Sequence, residues 1–400
     1  MKKIKFLLRI IAALLLLVLM VVTASEVSPI YNFRAPAPFS GEDIFNPYRD
    51  LDTAFCWKRA NFHTHTRVKG PFPPNECPMW PQETYDSLKG YGYDIVTFSN
   101  HDELTRHPFD SSLQVNVYEH GTSPFKFHKL VFGCDRVKYF DVLLPLMASQ
   151  KQFELDYLGK DSDFIQINHP YRTIGTCRDH FEKNSGYEIV ELDTGVSTEN
   201  EYWDWALSAG HYCFGLANDD LHHPDHQWCI AVRCNFLCTP SGRYEDLKKV
   251  LLGGCYYAMR VPDYGGGDWK IKHEGNRHLP FVKDIGLRDS TIYLSLSAKA
   301  DSIRVNGQDH RTLALEKDSD HIGYVLPACE PYARLSAFFP GGEVIYTNPF
   351  AHYDASACPG TPFDKAPQKV NIPLTILYNL LIALLFAAEA LLMVKLFRRK

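Results

Sequence analysis

Short apolar runs that end in polar, metal-type residues recur along the middle of this chain. The run up to Phe62 passes into His63-Thr64-His65-Thr66, and Asp94-Ile95-Val96-Thr97-Phe98 ends at Ser99-Asn100-His101-Asp102. Residues 114–118 lead to Glu119-His120-Gly121, residues 127–132 pass through His128, and residues 164–167 end at Asn168-His169-Pro170. Residues 188–192 stop at Asp193, and 213–217 stop at Asn218-Asp219-Asp220-Leu221-His222. Runs of this length between turn residues read as buried strands. Residues 83–89, 203–208 and a stretch capped by Ser241 through 252 read as helices. Strands and helices in alternation, with chemistry at the carboxyl ends of the strands, give βα-repeat logic.

After residue 239 the pattern changes. Thr291-Ile292-Tyr293-Leu294-Ser295-Leu296-Ser297 alternates strictly, as a half-buried strand does. Short runs at 302–305, 322–326, 334–339 and 344–346 follow with Gly, Pro or Asp between them. They predict a small β-sandwich-like domain.

The two ends are apolar. Met1-Lys2-Lys3-Ile4-Lys5 precedes an unbroken apolar run over 10–22, which reads as a signal peptide or, if Arg9 snorkels, an N-terminal anchor. Residues 374–394 are long enough to span a bilayer, and Lys395, Arg398, Arg399 and Lys400 follow. The positive-inside rule then puts the C-terminus in the cytoplasm and the body outside. Glu389, inside that span, reads as a tolerated carboxyl or a helix–helix contact. The expected order is 1–25 signal or anchor, 26–56 lead-in, 57–238 barrel, 239–352 β-rich domain, 353–371 linker and 372–397 transmembrane helix.

With 400 residues, 45% of them hydrophobic, the chain has material for a sizeable core, and its net charge of −5 carries no basic stripe for nucleic acid. Eleven cysteines form no compact disulfide framework.

Histidines at i and i+2 on a strand share a face, so His63 and His65 can reach one ion. Taken in order, His63-x-His65, Ser99-Asn100-His101, Glu119, His169-Pro170 and Asp220-x-His222 resemble the polymerase-and-histidinol-phosphatase (PHP) superfamily. Ile303-Arg304-Val305-Asn306-Gly307 and Gly342-Glu343-Val344-Ile345-Tyr346-Thr347-Asn348-Pro349 resemble the C-terminal half of its CehA/McbA (carbaryl-hydrolase-like) members. The resemblance implies an α/β fold, a distorted (β/α)7 barrel with two or three metal ions at its mouth. It implies His63, His65, Glu119 and Asp220 on one ion, and Glu119 bridging to a second held by His169 and His128. His101 and His222 complete the second ion or hold a third. Glu119, Asp220 and Arg172 are the candidate catalytic residues, Arg172 as a clamp for a substrate anion. The chain departs from the family pattern twice. Arg67-Val68-Lys69-Gly70 stands where a Ser-Asp-Gly carboxylate is usual, and Asn100 replaces an Asp.

Nitrogen ligands with a bridging carboxylate suit Zn, Mn or Fe. The expectation is an exported, membrane-tethered, metal-dependent hydrolase acting first on phosphoesters, through two ions with a third position open. Its rivals are a carboxylic ester, carbamate or amide hydrolase on the same site, and a silent metal-stabilised binding module for an envelope ligand. Expected partners are a small-molecule or lipid-headgroup substrate and the membrane, with no nucleic acid.

Overall fold

A computed structural model describes residues 2–52, 57–69, 75–194, 198–357, 360–362 and 367–398. The expected start of the first strand at Phe55, Gly70 of the motif departure, and Arg399 and Lys400 lie outside the described residues.

Helix α1 (Lys2–Ser25) and strands β1 (Tyr31–Asn32) and β2 (Asp43–Phe45) lead to β3 (Lys58–Asn61). Helix α2 (Pro81–Gly90), whose Glu83 carboxylate accepts from the Trp80 N–H at 2.7 Å, connects it to β4 (Ile95–Val96). Strands β3 and β4 are parallel, as a crossover helix requires. Next come β5 (Val117–His120), β6 (Lys129–Phe132), α3 (Ala148–Gly159), β7 (Phe164–Ile167) and α4 (Arg178–Lys183). Strand β8 (Ile189–Glu191), α5 (Glu201–Ser208) and β9 (Phe214–Leu216) complete this half.

Strands β5 to β9 form one five-stranded sheet in sequence order. The β5–β6 and β6–β7 pairs are antiparallel and the rest parallel, so the expected strict βα alternation fails at β5–β6. Among the described residues the ladders do not close into a continuous barrel. Two isolated parallel bridges span the gaps instead, His101 to Glu119 and Thr64 to Leu221. Both bridges fall among the metal-type residues, so closure and site construction are the same local event.

The second half extends the sheet that holds β3. Strand β10 (Arg233–Leu237) pairs with β3, and after α6 (Tyr244–Gly253) strand β11 (Tyr256–Arg260) pairs with β10. Helix α7 (Trp269–Arg277), β12 (Val282–Arg288), β13 (Thr291–Asn306), β14 (Thr312–Val325), β15 (Tyr332–Phe338) and β16 (Val344–Thr347) follow. The order β12-β13-β15-β16-β11-β10-β3-β4 is one continuous run, with β17 (Phe350–Tyr353) and β2 on a branch. The β-rich part is therefore joined by hydrogen bonds to the strand that delivers His63, and the expected boundary at 238/239 lies between two paired strands. The apolar edge of β10 needs a partner, and β11 supplies it. Runs expected separately at 291–297 and 302–305 are one 16-residue strand, β13. Ser241 does not cap α6. Its hydroxyl accepts from the Arg243 N–H at 3.1 Å, and the helix starts at Tyr244.

Strand β18 (Lys369–Val370) pairs with β1 and leads into α8 (Ile372–Phe397). Helices α1 and α8 are each long and apolar enough to cross a membrane. They run side by side: Thr23 meets Glu389, Ser28 meets Asn379 and Ile30 meets Thr375, an antiparallel register.

Candidate metal centre

Most site residues stand at or just beyond the end of a strand. His63 and His65 follow β3, His101 follows β4, Glu119 is the penultimate residue of β5, and His169 follows β7. His128 immediately precedes β6 rather than sitting mid-strand. Because β6 is antiparallel to β5, its start lies beside the end of β5. His169, Asp220 and Asp102 have φ of 28°, 51° and 49°, a left-handed backbone rarely adopted outside glycine and concentrated at functional sites.

The side chains converge on Glu119. Its Oε2 lies 3.1 Å from His63 Nε2, 3.1 Å from His65 Nε2 and 3.1 Å from His101 Nε2. Its Oε1 lies 3.2 Å from His128 Nδ1 and 3.3 Å from His169 Nε2. Asp220 Oδ1 lies 3.1 Å from His63 Nε2 and 3.4 Å from His65 Nε2. His222 stacks on His65 with ring centroids 4.1 Å apart. Thus all eight metal-ligand candidates come together.

One further candidate ligand lies outside the sequence pattern. Glu76, in the proline-rich loop after His65, places Oε2 3.3 Å from His101 Nε2, 3.4 Å from His222 Nε2 and 3.7 Å from His65 Nδ1. It supplies the carboxylate missing directly after His65. The other departure, Asn100, is a brace: its carbonyl accepts from the Thr66 N–H at 2.7 Å and its amide donates to Thr66 and Thr105 hydroxyls. An ionised aspartate there would have no protons for those two donations.

An outer layer aims the ligands. Glu191 Oε1 lies 2.9 Å from His63 Nδ1, and its Oε2 accepts from the His169 N–H at 2.8 Å. Asn168 donates to Glu119 Oε1 at 2.8 Å. Asp219 accepts three backbone N–H groups, from Ala231, Val232 and Arg233, and the Asn61 amide, so it braces the turn and is no ligand. Arg172, half exposed at the end of a turn starting at Pro170, pairs with Asp220 Oδ2. Arg233 is spent on Asp193, donating from Nε to its backbone oxygen. His223, Asp225 and His226 form a separate group on an exposed loop.

The buried imidazoles and carboxylates shift one another. Burial alone would push His63 down, but Glu119, Asp220 and Glu191 outweigh it and hold its imidazolium well above the ordinary range. His65 is held at about 9, Asp220 and Glu119 overriding the burial. Burial pulls His101 down to about 4, more than Glu119 restores. For Glu119 and Asp220 burial is likewise outweighed, by His101, His63 and His128 for the first and His63, His65 and His222 for the second, and both stay well below the carboxylate range.

The donor set fits divalent ions. His63 Nε2, His65 Nε2, Glu76 Oε2 and Asp220 Oδ1 are buried and have no hydrogen-bond partner, although they crowd together. Two ligand atoms each ~2.1 Å from a shared ion stand about 3.0–3.4 Å apart at octahedral to tetrahedral angles, the spacing seen here. Three groups share the centre: His63, His65, Glu119 and Asp220; His101, Glu119 and His128; and His65, Glu76 and His101.

No protein-family profile matches the chain, and no curated protein matches it. Among solved structures, it is similar to a two-domain protein from Bacteroides vulgatus described as containing a predicted PHP-like metal-dependent phosphoesterase. That likeness has 13% identity, covers 80% of this chain and 100% of the other, and has a TM-score of 0.38. It is also similar to the lesion-specific endonuclease EndoQ from Pyrococcus furiosus, at 12% identity over 49% of this chain and 56% of that one, TM-score 0.32.

Proposed function

We propose that this chain is a metal-dependent phosphoesterase of the PHP kind, tethered to a membrane with its catalytic body on the extracytoplasmic side. The observation that carries the reading is the buried convergence of His63, His65, Glu119 and Asp220, with His63 Nε2, His65 Nε2 and Asp220 Oδ1 facing one another without a hydrogen-bond partner. A charge cluster of that kind is costly to bury unless an ion completes it. His63, His65, Glu119 and Asp220 would hold one ion, Glu119, His128 and His169 a second, and Glu76, His101 and His222 a third. Ions there would supply Lewis-acid charge and make water nucleophilic near neutral pH.

The protein's own part is to orient and to neutralise. Glu191 fixes the His63 ring so that Nε2 points inward. Arg172, pinned by Asp220 but half exposed, is placed to meet anionic oxygens of a bound ester. In the reaction the oxygen of water bonds to phosphorus, the ester P–O bond breaks, and the departing alcohol takes the proton.

The test is elemental analysis of the purified protein, followed by a turnover screen of phosphomonoesters, phosphodiesters, carboxylic esters, carbamates and amides. Two or three ions per chain with phosphoester turnover, abolished in His63→Ala and Asp220→Ala, is the expected result. Turnover confined to carboxylic esters, carbamates or amides would overturn the substrate class. Failure to bind Zn, Mn or Fe would overturn the site.

A further inference from the structure

The mouth of the metal centre is tied by a short relay to the point where both apolar helices meet the body. Three residues after Glu119, at most about 10 Å of chain, the backbone N–H groups of Thr122 and Ser123 donate to Asp141 at 2.7 and 2.8 Å. The Ser123 hydroxyl donates to Leu143 O at 2.8 Å. Leu143 N–H in turn donates to the Ser25 hydroxyl at the end of α1, and Leu144 N–H to Glu26 at 3.0 Å. Tyr378 of α8 donates to the backbone oxygen of Glu26 at 3.1 Å. The site loops and the helix exits are therefore one hydrogen-bonded assembly.

Apolar side chains stand exposed on the same assembly. Leu146 and Met147 are 55% and 37% exposed and follow Leu144 after Pro145, and Val27, next to Glu26, is 48% exposed. Ile174 is 56% exposed, and its N–H donates to Phe125 O in the loop carrying Ser123. It stands two residues beyond Arg172, the arginine on Asp220. Exposed apolar residues on one hydrogen-bonded assembly mark a contact surface, and this assembly is bonded to the ends of two helices suited to a bilayer.

We infer that this apolar rim seats the mouth of the metal centre on the bilayer surface, and that the substrate is the phosphate ester of a lipid headgroup in that same membrane. The inference rests on the phosphoesterase reading above and adds the substrate class to it. The bilayer is the occupant because the rim adjoins the helix exits, which a soluble ligand would not require. Lys126 in the loop between Ser123 and His128 is exposed and cationic, suited to an anionic surface.

The experiment uses the full chain, loaded with metal and reconstituted in vesicles of phosphatidylethanolamine, phosphatidylglycerol and phosphatidic acid. Release of headgroup or phosphate is compared with hydrolysis of the soluble analogues glycerophosphoglycerol and glycerol 3-phosphate. A second protein, L146S/M147S, is run alongside, with bound metal measured in both. Expected is faster turnover of the vesicle lipid than of its soluble analogue, and a loss of about tenfold on lipid alone in the double variant. Hydrolysis of the soluble esters with the lipid untouched would overturn this inference and leave the phosphoesterase reading standing. Equal lipid turnover by both proteins would remove the rim from it. Absence of all phosphoester turnover would overturn both.

Discussion

His63 Nδ1 lies 2.9 Å from Glu191 Oε1, with both side chains fully buried. The carboxylate can only accept, so the Nδ1 proton is fixed there and Nε2 is left as the lone-pair donor to an ion. Glu191→Gln keeps the shape but offers an amide in place of a charge. Metal affinity should fall by ~10–100-fold, the usual cost of losing an outer-shell partner. Competition against a metal-sensitive dye measures it, and wild-type affinity in Glu191→Gln would remove Glu191 from the ligand-orienting layer.

Glu76→Gln separates a three-ion from a two-ion centre. Glu76 Oε2 is within 3.4 Å of both His101 and His222, and no other carboxylate reaches His222 Nε2 among the described residues. Bound metal should drop by about one ion per chain, with a loss exceeding the ~10–100-fold of an outer-shell change. An unchanged ion count would make Glu76 a bystander.

The site residues differ in how strongly local sequence marks them. His63, His65, His101, Glu119, His169 and Asp220 each follow an apolar run, so strand periodicity points to them. Glu76 sits in a loop with no period, and its role depends on how the loop folds back. Glu191 was hidden inside a strand whose evident polar end is Asp193. Helix α3 has no apolar stripe because it buries Gln150, Lys151, Gln152 and Glu154, and the last meets Lys129 at 2.6 Å. The expectation of strict βα alternation fails at β5–β6 because a short apolar run has the same pattern in an antiparallel pair as in a parallel one.

Gly121 has φ of +127°, and a Cβ there would stand 2.8 Å from His128 Cδ2. Gly121→Ala should displace His128 and strain the backbone by about 1–3 kcal/mol. The expected outcome is a lower Tm and loss of the ion that His128 helps hold. Full metal content with an unchanged Tm would show that the loop adjusts freely.

The metal-free protein should respond to pH in a definite direction. His65 is held at about 9, and His63 well above its usual value, so both are protonated at pH 7.5. A histidine raised in the folded state stabilises fully below its unfolded pKa, about 6.5. That contribution is lost as pH rises through about 9, so metal-free Tm should decline across this window. Ligation needs neutral imidazole, so metal binding at pH 7.5 should release at least about two protons per chain. Calorimetry in buffers of different ionisation enthalpy counts them. No proton release would show that the two rings are already neutral.

Thr23 Oγ1 donates to Glu389 Oε1 at 2.8 Å, with both side chains buried between α1 and α8. A carboxyl within an apolar span is costly without a partner, and the donor comes from the segment a signal peptidase would remove. Cleavage after Ala24 would also cut the chain next to Ser25 and Glu26, which hold Leu143 and Leu144. These contacts motivate the expectation that α1 is retained and stays paired antiparallel with α8. Intact-mass spectrometry of the membrane-extracted protein should therefore find residues 1–24 still attached. Thr23→Val should lower its stability in detergent by ~0.6–2 kcal/mol, the range measured for hydrogen bonds between membrane helices. A mature chain beginning at Ser25, folded and active, would mean that Glu389 is satisfied by something other than Thr23.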